Sequence, residues 1–239
     1  MIEHEIIPLF GPLWWKAWTT TWLGIFFLLF LGKKLPANIV KNMTRVMGWL
    51  LIFVAVGMQP YQVAVGKWSV QSSLPLQMCG ISSWLSGFAL LTDQMWIYYI
   101  VYYWGIPGAF HSLLTPEFTL GTEGIFFYEY YISHGGIILA ALWATVILKR
   151  RPAEGSWLKM FAWTQLCLPV IGTIDWLLDA NYMYICKAPI VDNPFIIGDF
   201  PYHLIGLEFA ALLHFALVYA PFGISRWLRK RRTPHPAGA

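Results

Sequence analysis

The stretch LWWKAWTTTWLGIFFLLFLG (Leu13–Gly32) carries a single charge, Lys16, and stops at Lys33, Lys34 and Pro36. As an α-helix it is about 30 Å long, the thickness of a bilayer hydrocarbon core. Six further apolar runs follow: Val46–Val65, Leu74–Leu91, Met95–Leu114, Ile125–Leu148, Trp157–Leu178 and Tyr202–Phe222. The fourth is expected to break near Gly105, Pro107 and Gly108. Only 12% of the residues are charged and 58% are hydrophobic. A soluble domain carries roughly 25% charged residues. The deficit suits a surface facing lipid, and the 14 Trp suit the bilayer interfaces. The expected fold is all-α, a polytopic seven-transmembrane helix bundle forming one domain over residues 1–239. Residues 226–239 are read as a basic, disordered cytoplasmic tail. No repeat is visible.

Charge placement orients the bundle. If the loops after odd-numbered spans face the cytoplasm, that side holds Lys33, Lys34, Lys41, Arg45, residues 149–151, Lys159, Arg226 and residues 229–232. These are 13 of the 16 basic residues. Lys16, Lys67 and Lys187 remain outside, with Glu3, Glu5, Glu117, Glu123, Asp179, Asp192 and Asp199. Such asymmetry implies N-out, C-in. It reports topology rather than nucleic-acid binding, and no nucleic-acid partner is expected. The acidic N-terminus MIEHEII is read as uncleaved, with the first helix directing insertion. Cys79, Cys167 and Cys186 form no disulfide framework and no Cys/His metal spacing, so neither a metal nor a cofactor is expected.

Ionisable groups inside spans are costly and mark candidate sites. Here they share the outer half. Cys79 is expected about 8 Å in from the outer end of its span, Glu208 about 9 Å and His134 about 13 Å. Glu129 lies one turn above His134. Asp175, Asn181 and His111 lie near outer ends, as do Gln59 and Gln62. This segregation implies a polar cavity opening outward. Read from the residues alone, Cys79 suits either a small packing face with Ser82, Ser83 and Ser86, or a nucleophile. His134 suits either a backbone hydrogen bond or a base, and Gly135 and Gly136 leave room beside it. Asp175 and Glu208 suit structural acceptors or direct chemistry.

Five stretches carry a resemblance: LPLQMCG (Leu74–Gly80), WGIPGAFHSLLTPEF (Trp104–Phe118), FFYEYYISHGG (Phe126–Gly136), DANYMYICKAP (Asp179–Pro189) and FPYHLIGLE (Phe200–Glu208). In order and spacing they resemble the YwaF-like family of bacterial integral membrane proteins, related to vertebrate transmembrane protein 164. That relative is regarded as an acyltransferase acting on ether phospholipids, with a cysteine and a histidine in a fold similar to the androgen-induced membrane hydrolases. The resemblance implies Cys79 and His134 as catalytic residues. It places Gln77, His111, Glu129, Asp175, Asn181 and Glu208 around a phospholipid or lyso-lipid. His111 stands where the family commonly has Gln. The implied setting is a multi-pass protein of the bacterial cytoplasmic membrane, with membrane lipids as partners. The expected function is a lipid acyltransferase or hydrolase using a Cys–His pair. The alternative is a non-catalytic transporter or lipid-binding protein. A third reading is an assembly protein whose aromatic helices dock a partner. Oligomeric state is not legible.

Overall fold

A computed structural model describes residues 5–190 and 194–232. Glu3, Asp192 and the 233–239 part of the expected disordered tail lie outside the described residues. The chain is all-α apart from a two-residue ribbon. Its elements are β1 (Glu5–Ile6), α1 (Pro12–Lys34), α2 (Ala37–Ala64), α3 (Met78–Leu91), α4 (Met95–Ile100), α5 (Ile106–Leu114), β2 (Glu117–Phe118), α6 (Ile125–Val146), α7 (Ser156–Leu178) and α8 (Tyr202–Arg232). Four of these helices, α2, α6, α7 and α8, are long and apolar enough to cross a membrane. In α1, Trp, Thr and Lys16 lower the hydropathy.

Three expectations are corrected. The fourth span does not break: α4 and α5 join through a π-helical turn, Val101–Gly105, so residues 95–114 are one helical run. Pro107 falls in the first turn of α5. The wider π spacing there accommodates the proline's missing N–H, which a regular α-helix would not. The third span starts four residues late. Leu74–Gln77 is a turn, because Pro75 cannot donate and the Leu74 N–H goes to the Tyr182 hydroxyl (3.0 Å). The basic segment expected to be disordered instead continues α8 to Arg232. Pro36 likewise starts α2 nine residues ahead of the apolar run, because the first turns carry Lys41 and Arg45 at an interface.

α6 is the centre of the bundle: 12 of its 22 residues are buried, against five of 28 in α2. α3 lies between α2 and α6. At their crossing Gly87 and Gly48 face each other, and a Cβ on Gly87 would sit 2.4 Å from the Gly48 carbonyl oxygen. The π turn is buried all round. Its aromatic groups tie down the other helices. The Tyr103 hydroxyl donates to Ser156 Oγ (2.7 Å), whose own hydrogen goes to Ala153 O. Trp104 Nε1 donates to Thr164 Oγ1 (2.8 Å), and Tyr102 donates to Val218 O (2.7 Å). α7 and α8 are held to the centre through these bonds.

Cations collect at one end. Arg150 reaches Ala89 O, Thr92 O and Asp93, Arg226 reaches Pro152 O, and Lys230 pairs with Glu154. The opposite end is closed by loops. β1 pairs antiparallel with β2, Glu5 against Phe118. Lys67 Nζ donates to Leu120 O (2.8 Å). The Glu5 carboxylate accepts from both the backbone N–H (2.9 Å) and the hydroxyl of Thr122. These bonds favour the charged form and lower its pKa. A lowered folded pKa gives stability that is present above the ordinary carboxylate value and lost as pH falls through the folded one. The strap is therefore expected to hold at neutral pH and loosen below about pH 4. Hydrogen exchange at residues 5–7 and 117–122 should rise there once corrected for intrinsic rates. Flat corrected rates down to about pH 3 would show that this carboxylate does not hold the strap.

Candidate functional site at the loop-covered end

Cys79 is the second residue of α3, directly under the 67–77 loop. Free backbone N–H groups of a first helical turn point toward such a position and favour negative charge on it. α3 has only 14 residues, about 21 Å, so its N-terminus starts below the level reached by its longer neighbours. Loops fill the space above.

The thiol faces α5. Its Sγ lies 3.8 Å from Ser112 Oγ, and Ser112 donates to Gly108 O (3.0 Å), which leaves its oxygen free to accept from the thiol. Gly108 forms the wall one turn earlier. A Cβ there would stand 2.9 Å from Sγ, closer than real contacts allow. Gly108→Ala is thus expected to fold, because the sulfur can rotate, while turning the thiol off Ser112. Cys79 alkylation by iodoacetamide should change at least several-fold. An unchanged rate would mean the wall does not set the sulfur's direction.

α6 supplies the other side. The Tyr130 hydroxyl donates to Ser112 O (2.8 Å) and receives the Glu117 N–H (3.4 Å). Its ring stacks on His134 at 4.3 Å. His134 Nδ1 lies 2.8 Å from Tyr130 O. A carbonyl only accepts, so Nδ1 carries the hydrogen and Nε2 keeps its lone pair. Among the described residues no hydrogen bond joins Cys79 to His134. Tyr130 and Ser112 lie between them.

The expected surrounding residues divide into separate roles. Gln77 and Asn181 build the 179–187 loop: Gln77 Oε1 accepts from Met183 N–H (2.7 Å), and Asn181 Oδ1 accepts from Cys186 and Lys187 N–H (3.0 and 2.9 Å). Asp175 Oδ1 accepts from Tyr182 N–H (2.8 Å). Glu129 bonds Ser133, which meets Ser83 at 2.9 Å and ties α6 to α3. Glu208 pairs with Gln165 between α8 and α7. His111 turns toward α8. Its Nε2 meets His214 Nε2 at 3.0 Å, and His214 Nδ1–H donates to Ala210 O. His111 is therefore the donor of that pair. Among the described residues no cluster of three His, Cys, Asp or Glu is arranged to hold a metal ion.

Four residues near the thiol were not singled out in the sequence: Gly108, Ser112, Glu117 and Tyr184. Buried Glu117 on β2 bonds the Tyr184 hydroxyl, and both Tyr184 and Tyr130 interact electrostatically with Cys79. All four lie inside the quoted motifs. A search for ionisable groups within spans passes over them, because they are small, hydroxylic or in loops.

No curated protein and no solved structure matches the chain. The family model described as the TMEM164 family matches residues 9–219. With its apolar helices and that match covering most of its length, this chain is a multi-pass membrane protein and belongs to the TMEM164 family.

Proposed function

We propose that this protein is a membrane-lipid acyl-transfer enzyme, an acyltransferase or lipid hydrolase, with Cys79 as nucleophile. The observation that carries the reading is the setting of the thiol: a first-turn position on a short helix, a glycine wall, and a histidine nearby whose Nε2 lone pair is left open. His134 Nε2 takes the thiol proton, directly or through the Ser112 hydroxyl. The sulfur attacks the ester carbonyl of a phospholipid and a C–S bond forms. The ester C–O bond breaks, and the leaving alkoxide takes the proton from His134. A lyso-lipid hydroxyl or water then gives its proton to His134 and attacks the thioester. The C–S bond breaks, and the departing thiolate takes up the proton that His134 holds.

In this reading all seven helical units span the bacterial cytoplasmic membrane, N-out and C-in, as in YwaF-like proteins. The gathering of cations at one end, opposite Cys79, supports that orientation. The acyl chain enters laterally, and the headgroup stays under the outer loops. The competing transport reading drew on a broken fourth span, and residues 95–114 are helical throughout. The test is mass spectrometry of protein in nanodiscs after incubation with diacyl phospholipid. An acyl mass on Cys79 is expected. A thiol that stays unmodified, with no lipid turnover, overturns the proposal.

A further inference from the structure

Three hydroxyls surround the Cys79 thiol, and their hydrogens are committed differently. Ser112 donates to Gly108 O, and Tyr130 donates to Ser112 O. Both acceptors are backbone oxygens inside helices, so neither hydrogen is free to turn to a substrate. Tyr184 donates to a side chain, the buried Glu117 carboxylate. That hydrogen can move to another oxygen by a small rotation of the phenol.

The backbone that presents Tyr184 is unusual. Met183 and Tyr184 both have φ of +55°. Two consecutive non-glycine residues in the left-handed region are disfavoured and persist only where surroundings enforce them. Here the enforcement is visible on every side. Gln77 holds the Met183 N–H, Asp175 holds the Tyr182 N–H, and Asn181 closes the loop at residues 186 and 187. His203, buried at the start of α8, donates from Nε2 to Tyr184 O (2.9 Å). Tyr182 pins the loop to Val70 and Leu74. Several of the residues expected to touch substrate thus hold one tyrosine over the thiol instead.

We propose that Tyr184 is a substrate-contacting catalytic residue of the Cys79 site, its phenolic O–H donating to the acyl carbonyl oxygen as the sulfur adds to the carbonyl carbon. The assignment rests on the acyl-transfer reading above. As the C–S bond forms, the carbonyl π pair moves onto oxygen, and that oxyanion receives the Tyr184 hydrogen bond without taking the proton. When the carbonyl re-forms and the ester C–O bond breaks, the phenol returns to Glu117. A donor aimed at developing oxyanion charge acts on the transition state rather than on ground-state binding.

The experiment compares wild-type protein and Tyr184→Phe in nanodiscs containing dioleoyl phosphatidylglycerol. Two rates are read at Cys79: thioester formation from the lipid, and alkylation by iodoacetamide, which needs no oxyanion donor. Tyr184→Phe is expected to slow thioester formation about 10²-fold, as loss of one such donor does. Half-saturating lipid and the alkylation rate should stay near wild type. Thioester formation at the wild-type rate overturns the role of Tyr184 and leaves Cys79 acylation standing. A parallel fall in both rates also overturns it, marking Tyr184 as structural. Wild-type protein that forms no thioester overturns the acyl-transfer reading and this role with it.

Discussion

Cys79→Ala is expected to lower acyl transfer by on the order of 10⁴-fold or more, as removal of a nucleophile does, and to leave the fold in place. The side chain is half-buried at the start of α3, and its recorded neighbours are Ser112 and Gly108. Losing one sulfur atom there costs about 1 kcal/mol, too little to unfold the bundle. His134→Gln should cost less, roughly 10²- to 10⁴-fold, the range of general-base catalysis. The two variants also differ in pH dependence. A missing base is partly replaced as solution pH rises and more thiolate forms, so the His134→Gln deficit should shrink toward alkaline pH. The Cys79→Ala deficit should not. Turnover by purified protein in nanodiscs, measured against pH, reads both. Full turnover in Cys79→Ala would remove Cys79 from the chemistry. A His134→Gln deficit that stays constant with pH would make the imidazole a packing partner of Tyr130 rather than a base.

Gly87→Ala is the second large effect, and it falls on the fold. The added methyl would meet the Gly48 carbonyl oxygen and Ile52 Cγ1, each at 2.4 Å. One is backbone, so a rotamer change cannot relieve the clash and α2 must move away from α3. Overpacking of this kind reaches about 3 kcal/mol. Small residues at helix crossings are what let membrane helices approach, because lipid offers no hydrophobic drive for them to associate. The control lies on the same helix pair. Gly57 has nothing within 4 Å of where a Cβ would be. Gly57→Ala should be neutral or stabilise by up to about 1 kcal/mol through helix propensity. Thermal unfolding in detergent should separate the two by several degrees. Equal midpoints would mean that the Gly48–Gly87 crossing is not the tight contact it looks.

Hydropathy carried the architecture a long way because a lipid-facing helix must be apolar along its length. Met95–Leu114 was read from it with the same bounds that the helical run has. What hydropathy could not report is backbone geometry at equal hydrophobicity. Gly105, Pro107 and Gly108 look like a helix break in a one-dimensional reading, yet the π turn keeps the run continuous. The LPLQ stretch is as apolar as a helix, and only its proline and the distant Tyr182 hydroxyl make it a turn. The site divided the same way. Cys79 and His134 stood out because a thiol and an imidazole are rare inside apolar runs. Whether they touch depends on helix rotation, and the structure sets Tyr130 and Ser112 between them. Glu117 and Tyr184 come from segments 67 residues apart, and no periodicity links such positions.

The π turn at Val101–Gly105 also bears on how the sequence can change. A π turn holds one residue more than an α turn, so it amounts to an insertion that the helix has absorbed. Each residue advances an α-helix by about 100°. Deleting any one residue from this segment would restore a regular helix while rotating everything downstream by that angle. Gly108 and Ser112 would swing off the thiol, and His111 would leave its partner on α8. Apolar composition and helix length would be almost unchanged. A sequence aligned by hydropathy alone would pass as equivalent while having lost its site, so among related chains a length difference of one residue between Tyr98 and Gly108 separates those that retain this chemistry from those that keep only the scaffold.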